Sequence, residues 1–437
     1  MMEAQVEKQP VIQGQGLRKL NMEYVFGFIA IIFVLILGST LLKTDMLFFR
    51  LLVGVGFGYA LSRAYTGFAG SINRAYTTGS TKLLRAMAFM FFFTTLLVTT
   101  FLFNADPTSY DLWINPINVG LVLGGLLFGF GMAFSSCCAS GVLTDLVTGL
   151  PRAFITLLFF GFGIFIAFPI QHTASWINNS LFTTEVGSKL QGGVYLPDLF
   201  KWDGLGGYLG ALLLTGLFCG IVVFLAYRYE KRRKEQNTYH GVLTENVQDM
   251  QVDFDSKDYK LLSSATYNRM FVKPWTLKQG AIVISVLFVL LMGVTKAGWG
   301  ASTPYGIWFG KLLMAFGVPA ESIASFTHMS ADPYVLPFFE HGVSVQNFGI
   351  LLGTIIFLLT AGQFKKVFRS GVHIRRREIL LFALGGITMG VGTRLANGCN
   401  VGALYTPIAN FSLSGWIFFI FLALGAIVGN AVAKRLF

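Results

Sequence analysis

The sequence predicts an all-α integral membrane protein with about ten transmembrane helices, additional re-entrant segments and two inverted-topology repeats. Three observations indicate this fold class. Hydrophobic residues make up 54% of the 437 positions and charged residues only 12%, about half the charge of a typical soluble domain. Apolar runs that approach the ~20 residues needed to cross a bilayer recur along the chain. A glycine-rich motif that ends in a cysteine occurs twice.

Ten apolar runs are candidate membrane spans. The first is too long for the core of a signal peptide and has no convincing cleavage site, so we interpret it as a retained helix. The spans lie at about 24–42, 47–62, 83–103, 116–134, 153–170, 205–227, 277–294, 345–361, 379–396 and 413–433. An even number of spans puts both ends of the chain on the same side of the membrane.

The basic residues predict which side that is. Lys and Arg concentrate near 63–85, 228–234 and 365–377, whereas 104–116 and 317–345 contain neither. The positive-inside rule therefore places both termini, and the loops rich in basic residues, in the cytoplasm. The same distribution explains the net charge of +12 without a nucleic-acid partner.

The chain divides into two membrane halves joined by a polar linker. We expect a cytoplasmic N-terminal tail at 1–21, a first transmembrane half at 22–228, a cytoplasmic linker at 229–273 and a second transmembrane half at 274–437. The linker carries too much charge to cross a bilayer.

Four further segments do not fit as spans. They contain many small or polar residues, or fall where another crossing would break the charge pattern. Irregular backbone is tolerated at membrane depth only where protein or a water-filled cavity surrounds it. We therefore interpret the segments at 63–81, 137–151, 299–316 and 397–412 as re-entrant.

An internal duplication is the most informative feature. Residues 123–143 read LGGLLFGFGMAFSSCCASGVL and residues 384–404 read LGGITMGVGTRLANGCNVGAL. Aligned without gaps, the segments share a ladder of glycines, and Cys138 matches Cys399. The predicted helices before the two cysteines run in opposite directions. The halves are therefore predicted to form an inverted repeat, a design typical of transporters whose substrate site lies at the repeat interface.

The paired pattern GxGxxxxxxCxxG resembles the YeeE/YedE family of sulfur-compound transporters. It reads GFGMAFSSCCASG at 129–141 and GVGTRLANGCNVG at 390–402. The resemblance covers most of the chain apart from the tail and the linker. It implies import of a small sulfur-containing anion, thiosulfate above all, across the bacterial inner membrane through a cysteine-lined constriction. Some relatives are linked to selenium metabolism, and a soluble TusA-type sulfurtransferase commonly works beside the transporter.

The resemblance assigns Cys138 and Cys399 to the two motif cysteines. The family often has a third cysteine on the first re-entrant segment. The similar stretch here, GYALSRAYTGFAG at 58–70, has Gly67 at that position. This departure leaves open which sulfur species is carried.

The candidate pathway residues surround the motif cysteines. A thiol donates a weak hydrogen bond and its sulfur is polarisable, so it can recognise a soft anion without retaining it. A charge at the end of a predicted span is either functional or snorkels to the interface, and asparagine and serine can donate to an anion or cap a broken helix. The set is Cys137, Cys138, Cys399, Asn397, Asn400, Arg394, Ser136, Gly141 and Gly402. We expect Cys219 to be a packing residue.

The residues alone leave two other function classes open. A membrane thiol oxidoreductase would need a CxxC pair, and the adjacent Cys137 and Cys138 could form only a strained bridge. A passive channel is the second alternative, although nothing resembles a carbonyl-lined filter. The sequence contains no Walker A motif and no Cys/His cluster of zinc spacing, so we expect no direct ATP drive, no metal and no cofactor.

Overall fold

The computed structural model describes residues 22–250 and 263–436. The predicted tail at 1–21 and part of the predicted linker lie outside the described residues. Within them the protein is helical, and the β-structure consists of two isolated bridges. The helices used below are, in chain order, α1 (Met22–Leu41), α2 (Asp45–Arg63), α3 (Phe68–Thr78), α4 (Lys82–Leu102), α5 (Val119–Ser135), α6 (Ala139–Thr148), α7 (Leu150–Thr173), α8 (Tyr208–Glu235), α9 (Leu243–Asp249), α10 (Leu277–Thr295), α11 (Thr303–Ala315), α12 (Ala320–Thr327), α13 (Gly342–Thr360), α14 (Arg376–Leu395), α15 (Thr406–Ala409) and α16 (Leu413–Leu436).

Ten of these helices begin segments long and apolar enough to cross a membrane. They are α1, α2, α4, α5, α7, α8, α10, α13, α14 and α16, and each coincides with a predicted span. Helix α1 exposes Phe26, Ile29 and Phe33 on its surface. A helix that is apolar on its outer face is stable in lipid and not in water. The prediction of an all-α, multi-pass membrane protein is confirmed.

Polar side chains fix where several spans begin. Asn118 precedes α5, and its side chain accepts a hydrogen bond from the backbone N–H of Leu121 at 2.9 Å. Thr276 and Gln279 form a reciprocal capping box before α10. Each cap satisfies backbone donors that the first helical turn leaves unpaired.

One boundary differs clearly from the sequence prediction. The sixth span was expected to end at 227, but α8 continues to Glu235 through the basic cluster. Lys and Arg are good helix formers, and the Lys234 ammonium lies 2.8 Å from the Glu230 carboxylate one turn earlier. The predicted linker therefore starts as a helical extension of the span.

The loops rich in basic residues lie together at one end of the molecule, called the basic end below. The guanidinium of Arg63 donates to the backbone carbonyl of Lys273 at 3.0 Å, and the backbone of His240 donates to Thr78 at 2.8 Å. The remaining loops meet at the opposite end, where Lys43 pairs with Glu340 at 2.7 Å. This grouping agrees with the predicted alternation of the spans.

Helices α5 and α14, which carry the two glycine motifs, touch through their backbones. A Cβ added to Gly124 would lie 2.6 Å from the carbonyl oxygen of Gly392, and one added to Gly131 would lie 2.5 Å from that of Gly385. The contact advances along α5 from Gly124 to Gly131 while it goes back along α14 from Gly392 to Gly385. The two helices are therefore antiparallel. In the motif alignment Gly124 matches Gly385, and Gly131 matches Gly392. The contacts are therefore reciprocal, as in an interface with two-fold symmetry.

The helices that pack against α5 and α14 are related in the same reciprocal way: each motif helix contacts the span that follows the other motif. Gly129 of α5 packs against the backbone of Leu422 in α16, and the matching Gly390 of α14 packs against that of Phe160 in α7. Farther out, α2 packs on α13 and α4 packs on α10. The glycines allow these close approaches because they carry no side chain.

Candidate functional site

The four predicted re-entrant segments contain short helices rather than spans. Helices α3, α6 and α11 have 11, 10 and 13 residues, about 15–20 Å at 1.5 Å per residue. The fourth segment has a π-helical stretch, Asn400–Tyr405, that continues into α15. The N-terminal ends of these segments come together in the interior of the protein.

The two motif cysteines occupy equivalent positions in this junction. Cys138 is the N-cap of α6, and Cys399 is the N-cap of the π-helical stretch. Both are extended, and they are only 1% and 0% exposed. Two residues earlier in each motif, Ser136 and Asn397 both have φ of 55°. Left-handed φ is uncommon for residues other than glycine, so the duplicated sequence has a duplicated backbone conformation.

Cys138 lies where two helix N-termini converge. The first turns of α6 and α3, at Gly141 and Ala69, lie close to its sulfur. The hydroxyl of Ser140 lies 3.5 Å from the same sulfur. Unpaired amides and aligned helix dipoles favour negative charge at such a point. The surroundings of this thiol therefore suit an anion.

Aromatic side chains enclose the junction. The hydroxyl of Tyr305, in the first turn of α11, donates to the carbonyl of Ala139 beside Cys138 at 2.5 Å. The ring of Trp299 stacks on Phe57 at 3.8 Å and meets Tyr405 edge-on at 6.2 Å. These residues come from both halves of the chain and are fully buried. They exclude bulk water from the space around the thiols.

Asn400 and Met132 link the second motif to the first. The side-chain amide of Asn400 donates to the Met132 sulfur at 3.2 Å, and its carbonyl oxygen has no hydrogen-bond partner among the described residues. Met132 lies in the last turn of α5, before Cys138. A polarisable thioether and an amide thus lie together near the motif cysteines.

The two motif glycines differ in what covers them. A Cβ added to Gly141 would meet the Cys138 sulfur at 3.4 Å, an ordinary contact, whereas one added to Gly402 would lie 2.5 Å from the Trp113 ring. Trp113 has φ of 58°, and its indole N–H donates to Asp111 at 2.8 Å. Partial burial raises the pKa of the Asp111 carboxyl. Trp113 therefore covers the second motif from the opposite end, whereas no ring within residues 22–250 and 263–436 lies within 4 Å of a Cβ added to Gly141.

Arg394 is buried beside the second motif, with 4% of its surface exposed. Its guanidinium lies 3.3 Å from the side-chain oxygen of Gln171 and 3.4 Å from the hydroxyls of Ser302 and Thr303. The amide of Gln171 also donates to Asn397 at 2.6 Å. The charge predicted at the end of this span is thus surrounded by neutral polar groups.

The other two cysteines have different surroundings. Cys137 is 3% exposed, and its carbonyl accepts a hydrogen bond from Ser135 at 3.2 Å. Cys219 lies in α8, 6% exposed, with its sulfur against the backbone of Phe92. Cys219 is remote from the junction, whereas Cys137 is next to it. Ser136 is exposed, and Asn397 is half-buried.

Gly67 precedes α3 in the junction. A Cβ added there would have no heavy atom within 4 Å. The position opens into an apolar pocket whose lining includes Met87 and Met90. The structure thus has room for the thiol that the family often carries at this point.

The sequence is matched between residues 63 and 428 by the protein family described as "Sulphur transport". The chain belongs to this family of transporters. The family confirms the resemblance noted from the two motifs. It also agrees with the prediction that the protein is a transporter of a sulfur compound and not an enzyme.

Two relatives in this family match the present chain over nearly their whole length. "Thiosulfate transporter TsuA" of Spirochaeta thermophila is 24% identical over 388 residues, which cover 87% of this chain and 97% of that protein. The TsuA protein of Escherichia coli strain K12 is 22% identical over 385 residues, covering 87% and 93%. A shorter match, to "Probable transporter YedE" of the same strain, is 32% identical over 159 residues. It spans 36% of this chain and 38% of that transporter.

Sequence reasoning did not find Tyr305, Trp113 or Gln171. Tyr305 lies on the predicted re-entrant segment 299–316, so only its contact with α6 was missing. Trp113 lies in the loop 104–116, where the absence of basic residues was the only signal noted. Gln171 lies in the last turn of α7 and belongs to no sequence motif. Each acquires its place through a contact between distant parts of the chain.

Proposed function

We propose that the protein imports thiosulfate across the bacterial inner membrane through a constriction formed by Cys138 and Cys399. The observation that carries this proposal is the position of Cys138. Its buried thiol lies at the N-terminal turns of α6 and α3, and Cys399 occupies the equivalent N-cap position of the second motif. The names of the TsuA relatives support the choice of substrate.

The chemistry of the junction suits passage without a covalent step. Thiosulfate carries a soft terminal sulfur and a hard sulfonate end. The thiols offer weak S–H donors and close sulfur contact to the soft end, while the helix N-termini attract the charge. Several weak sites in sequence bind the anion well enough to admit it and loosely enough to release it.

The two halves act as an inverted repeat in this proposal. The antiparallel contact of α5 with α14, and the exchange of their neighbours α16 and α7, support it. Cys138 then belongs to the basic side of the constriction and Cys399 to the other. The positive-inside rule places the basic end in the cytoplasm, together with both termini and the linker at 229–273.

The remaining pathway residues follow from this arrangement. Asn400, Ser136 and Asn397 offer polar groups on either side of the thiols, and Gly141 and Gly402 leave room for the anion. Cys137 supplies a second thiol near the basic end. A TusA-type sulfurtransferase would receive the anion at the cytoplasmic face, as the resemblance implies.

The test is uptake of radiolabelled thiosulfate into proteoliposomes by purified wild-type protein and by cysteine variants. Cys138→Ser and Cys399→Ser should each reduce the rate about ten-fold or more, equivalent to ~1.4 kcal/mol. Serine keeps a hydrogen-bond donor, but it is smaller and harder than cysteine. Cys219→Ser is the matched control, because it alters another buried thiol, and it should transport normally.

A wild-type rate in the Cys138→Ser, Cys399→Ser double variant would overturn the proposed constriction. If the wild-type protein moved selenium compounds or another sulfur species but not thiosulfate, the proposed substrate would be wrong. The proposal that the protein is a transporter of a small anion would stand. Unlabelled competitors added to the same assay distinguish these outcomes.

A further inference from the structure

Arg394 differs from Arg63, which is also buried, and from three half-buried arginines. Arg74, Arg85 and Arg152 each pair with a carboxylate, at 3.3, 3.2 and 2.7 Å. Arg63 instead donates to three backbone carbonyls and lies over the Trp275 ring. Buried charges are normally compensated in one of these ways, because an uncompensated charge is expensive to desolvate.

Arg394 lies over an aromatic ring as well, that of Phe168 at 5.4 Å, but it has neither a carboxylate nor a backbone carbonyl as a partner among the described residues. Among residues 22–250 and 263–436, no ion pair includes it. Its three hydrogen bonds, at 3.3, 3.4 and 3.4 Å, are longer than the ~2.7–2.9 Å of strong charge-assisted bonds. Its Nε has no partner among those residues. The guanidinium therefore keeps most of its capacity to bind an anion.

The surroundings of Arg394 point to the same ligand class. Ser302 and Thr303 begin α11, a helix of 13 residues whose N-terminus favours negative charge. Gln171 and Asn397 are half-buried at the opposite end, so they lie between the guanidinium and the surface. Arg394 lies at the end of α14, five residues before Cys399. The site is thus beside the second motif and on its outer side.

We propose that Arg394, Ser302, Thr303 and Gln171 form a binding site for a small tetrahedral oxyanion, just outside Cys399. This inference rests on the proposed function, because it states where the sulfonate end is held before the terminal sulfur reaches the thiols. The planar fork of the guanidinium matches two oxygens of such an anion. Sulfate has the same oxygen geometry but no soft sulfur, so it binds this site and competes with thiosulfate.

The test measures thiosulfate uptake by proteoliposomes, with sulfate as the competing probe. Arg394→Gln should raise the KM for thiosulfate about ten-fold or more, and it should weaken inhibition by sulfate by a similar factor. Arg394→Lys keeps the charge without the fork, so its KM should be intermediate. Thr303→Val removes one hydroxyl and no charge, and it should raise the KM a few-fold if Arg394→Gln fails to accumulate.

Arg50→Gln is the matched control. Arg50 is half-buried in the part of α2 near the opposite end and lies 3.3 Å from a glutamine side chain, that of Gln346. It should leave the KM and the sulfate inhibition unchanged. Normal uptake with an unchanged KM and unchanged sulfate inhibition in Arg394→Gln would overturn the site and leave the proposed function intact. Sulfate binding that depends on Arg394, in a wild-type protein that takes up no thiosulfate, would uphold the site and reject the proposed substrate.

Discussion

Trp113 packs against the second glycine motif and not against the first. Its ring packs against the backbone of Gly402, whereas the described atoms nearest to a Cβ on Gly141 belong to Cys138 and Cys137. Trp113 also holds a left-handed φ of 58°, which is unfavourable for a bulky residue. The hydrogen bond to Asp111 helps to hold it there. The ring therefore covers the second glycine motif.

The pair Gly402→Ala and Gly141→Ala tests this cover. Gly402→Ala should displace the Trp113 ring, because the new methyl would lie 2.5 Å from it. Labelling of Cys399 by an impermeant thiol reagent should then become several-fold faster. The measurement uses a protein in which the other three cysteines are serine.

Gly141→Ala introduces the same methyl group at an ordinary 3.4 Å contact, and it should leave the labelling rate of Cys399 unchanged. Trp113→Gly should accelerate labelling as Gly402→Ala does. Slow labelling in both Trp113→Gly and Gly402→Ala would show that the ring does not limit access.

The residues of the site could be predicted only in part. Cys138 and Cys399 could be predicted because two of the four cysteines occupy matching positions in two similar series of glycines. Arg394 was noticed as a charge in a predicted span, but its lack of a carboxylate partner depends on α7 and α11, which are distant in sequence. Trp113 and Tyr305 gave no local signal, because their roles come entirely from contacts across the two halves.

At the level of elements, the glycine motifs of α5 and α14 work mainly through close packing. The sequence predicted that the motif helices run in opposite directions, and the antiparallel contact agrees with that prediction. It did not predict that the two motifs touch each other, because a glycine ladder is equally compatible with packing against any other helix. The end of α8 was also missed, since a hydropathy pattern marks where a span leaves the bilayer and not where the helix stops.

Gly124→Ala should destabilise the protein by about 1–3 kcal/mol, as overpacking of a tight contact usually does. The added methyl would lie 2.6 Å from the Gly392 carbonyl, and backbone cannot move aside as a flexible side chain can. The midpoint of thermal unfolding in detergent measures the effect.

Gly220→Ala in α8 is the control for helix propensity. No heavy atom lies within 4 Å of its added Cβ, and alanine favours a helix over glycine by about 1 kcal/mol. Its unfolding midpoint should therefore stay the same or rise. Equal midpoints for Gly124→Ala and Gly220→Ala would contradict the proposed importance of the α5–α14 contact.

At the scale of the whole molecule, the inverted repeat requires the two halves to have opposite orientations in the membrane. Ser136 and Asn397 are equivalent in the motif alignment and share φ of 55°. If the halves are inverted, single cysteines at these positions should be labelled from opposite sides of the membrane. Ser136→Cys should react from the cytoplasmic side and Asn397→Cys from the outer side, in a protein whose native cysteines are replaced.

Two exposed positions serve as references for the two sides of the membrane. Asn237→Cys lies after α8 at the basic end, and Trp202→Cys lies in the loop 174–207 at the opposite end, where the native side chain is 82% exposed. Ser136→Cys should follow Asn237→Cys, and Asn397→Cys should follow Trp202→Cys. Labelling of both motif positions from one side would rule out the inverted repeat.

The backbone contact between α5 and α14 has a consequence for the speed of transport. Four glycines allow the backbones of these helices to touch, so a slide by one residue would force larger side chains into the opposing backbone. A cycle that rocked one half against the other would have to break this contact on every turnover. We therefore expect small local motions at the two ends to admit the anion, with a shallow dependence of rate on temperature and a turnover closer to that of a channel than of a carrier.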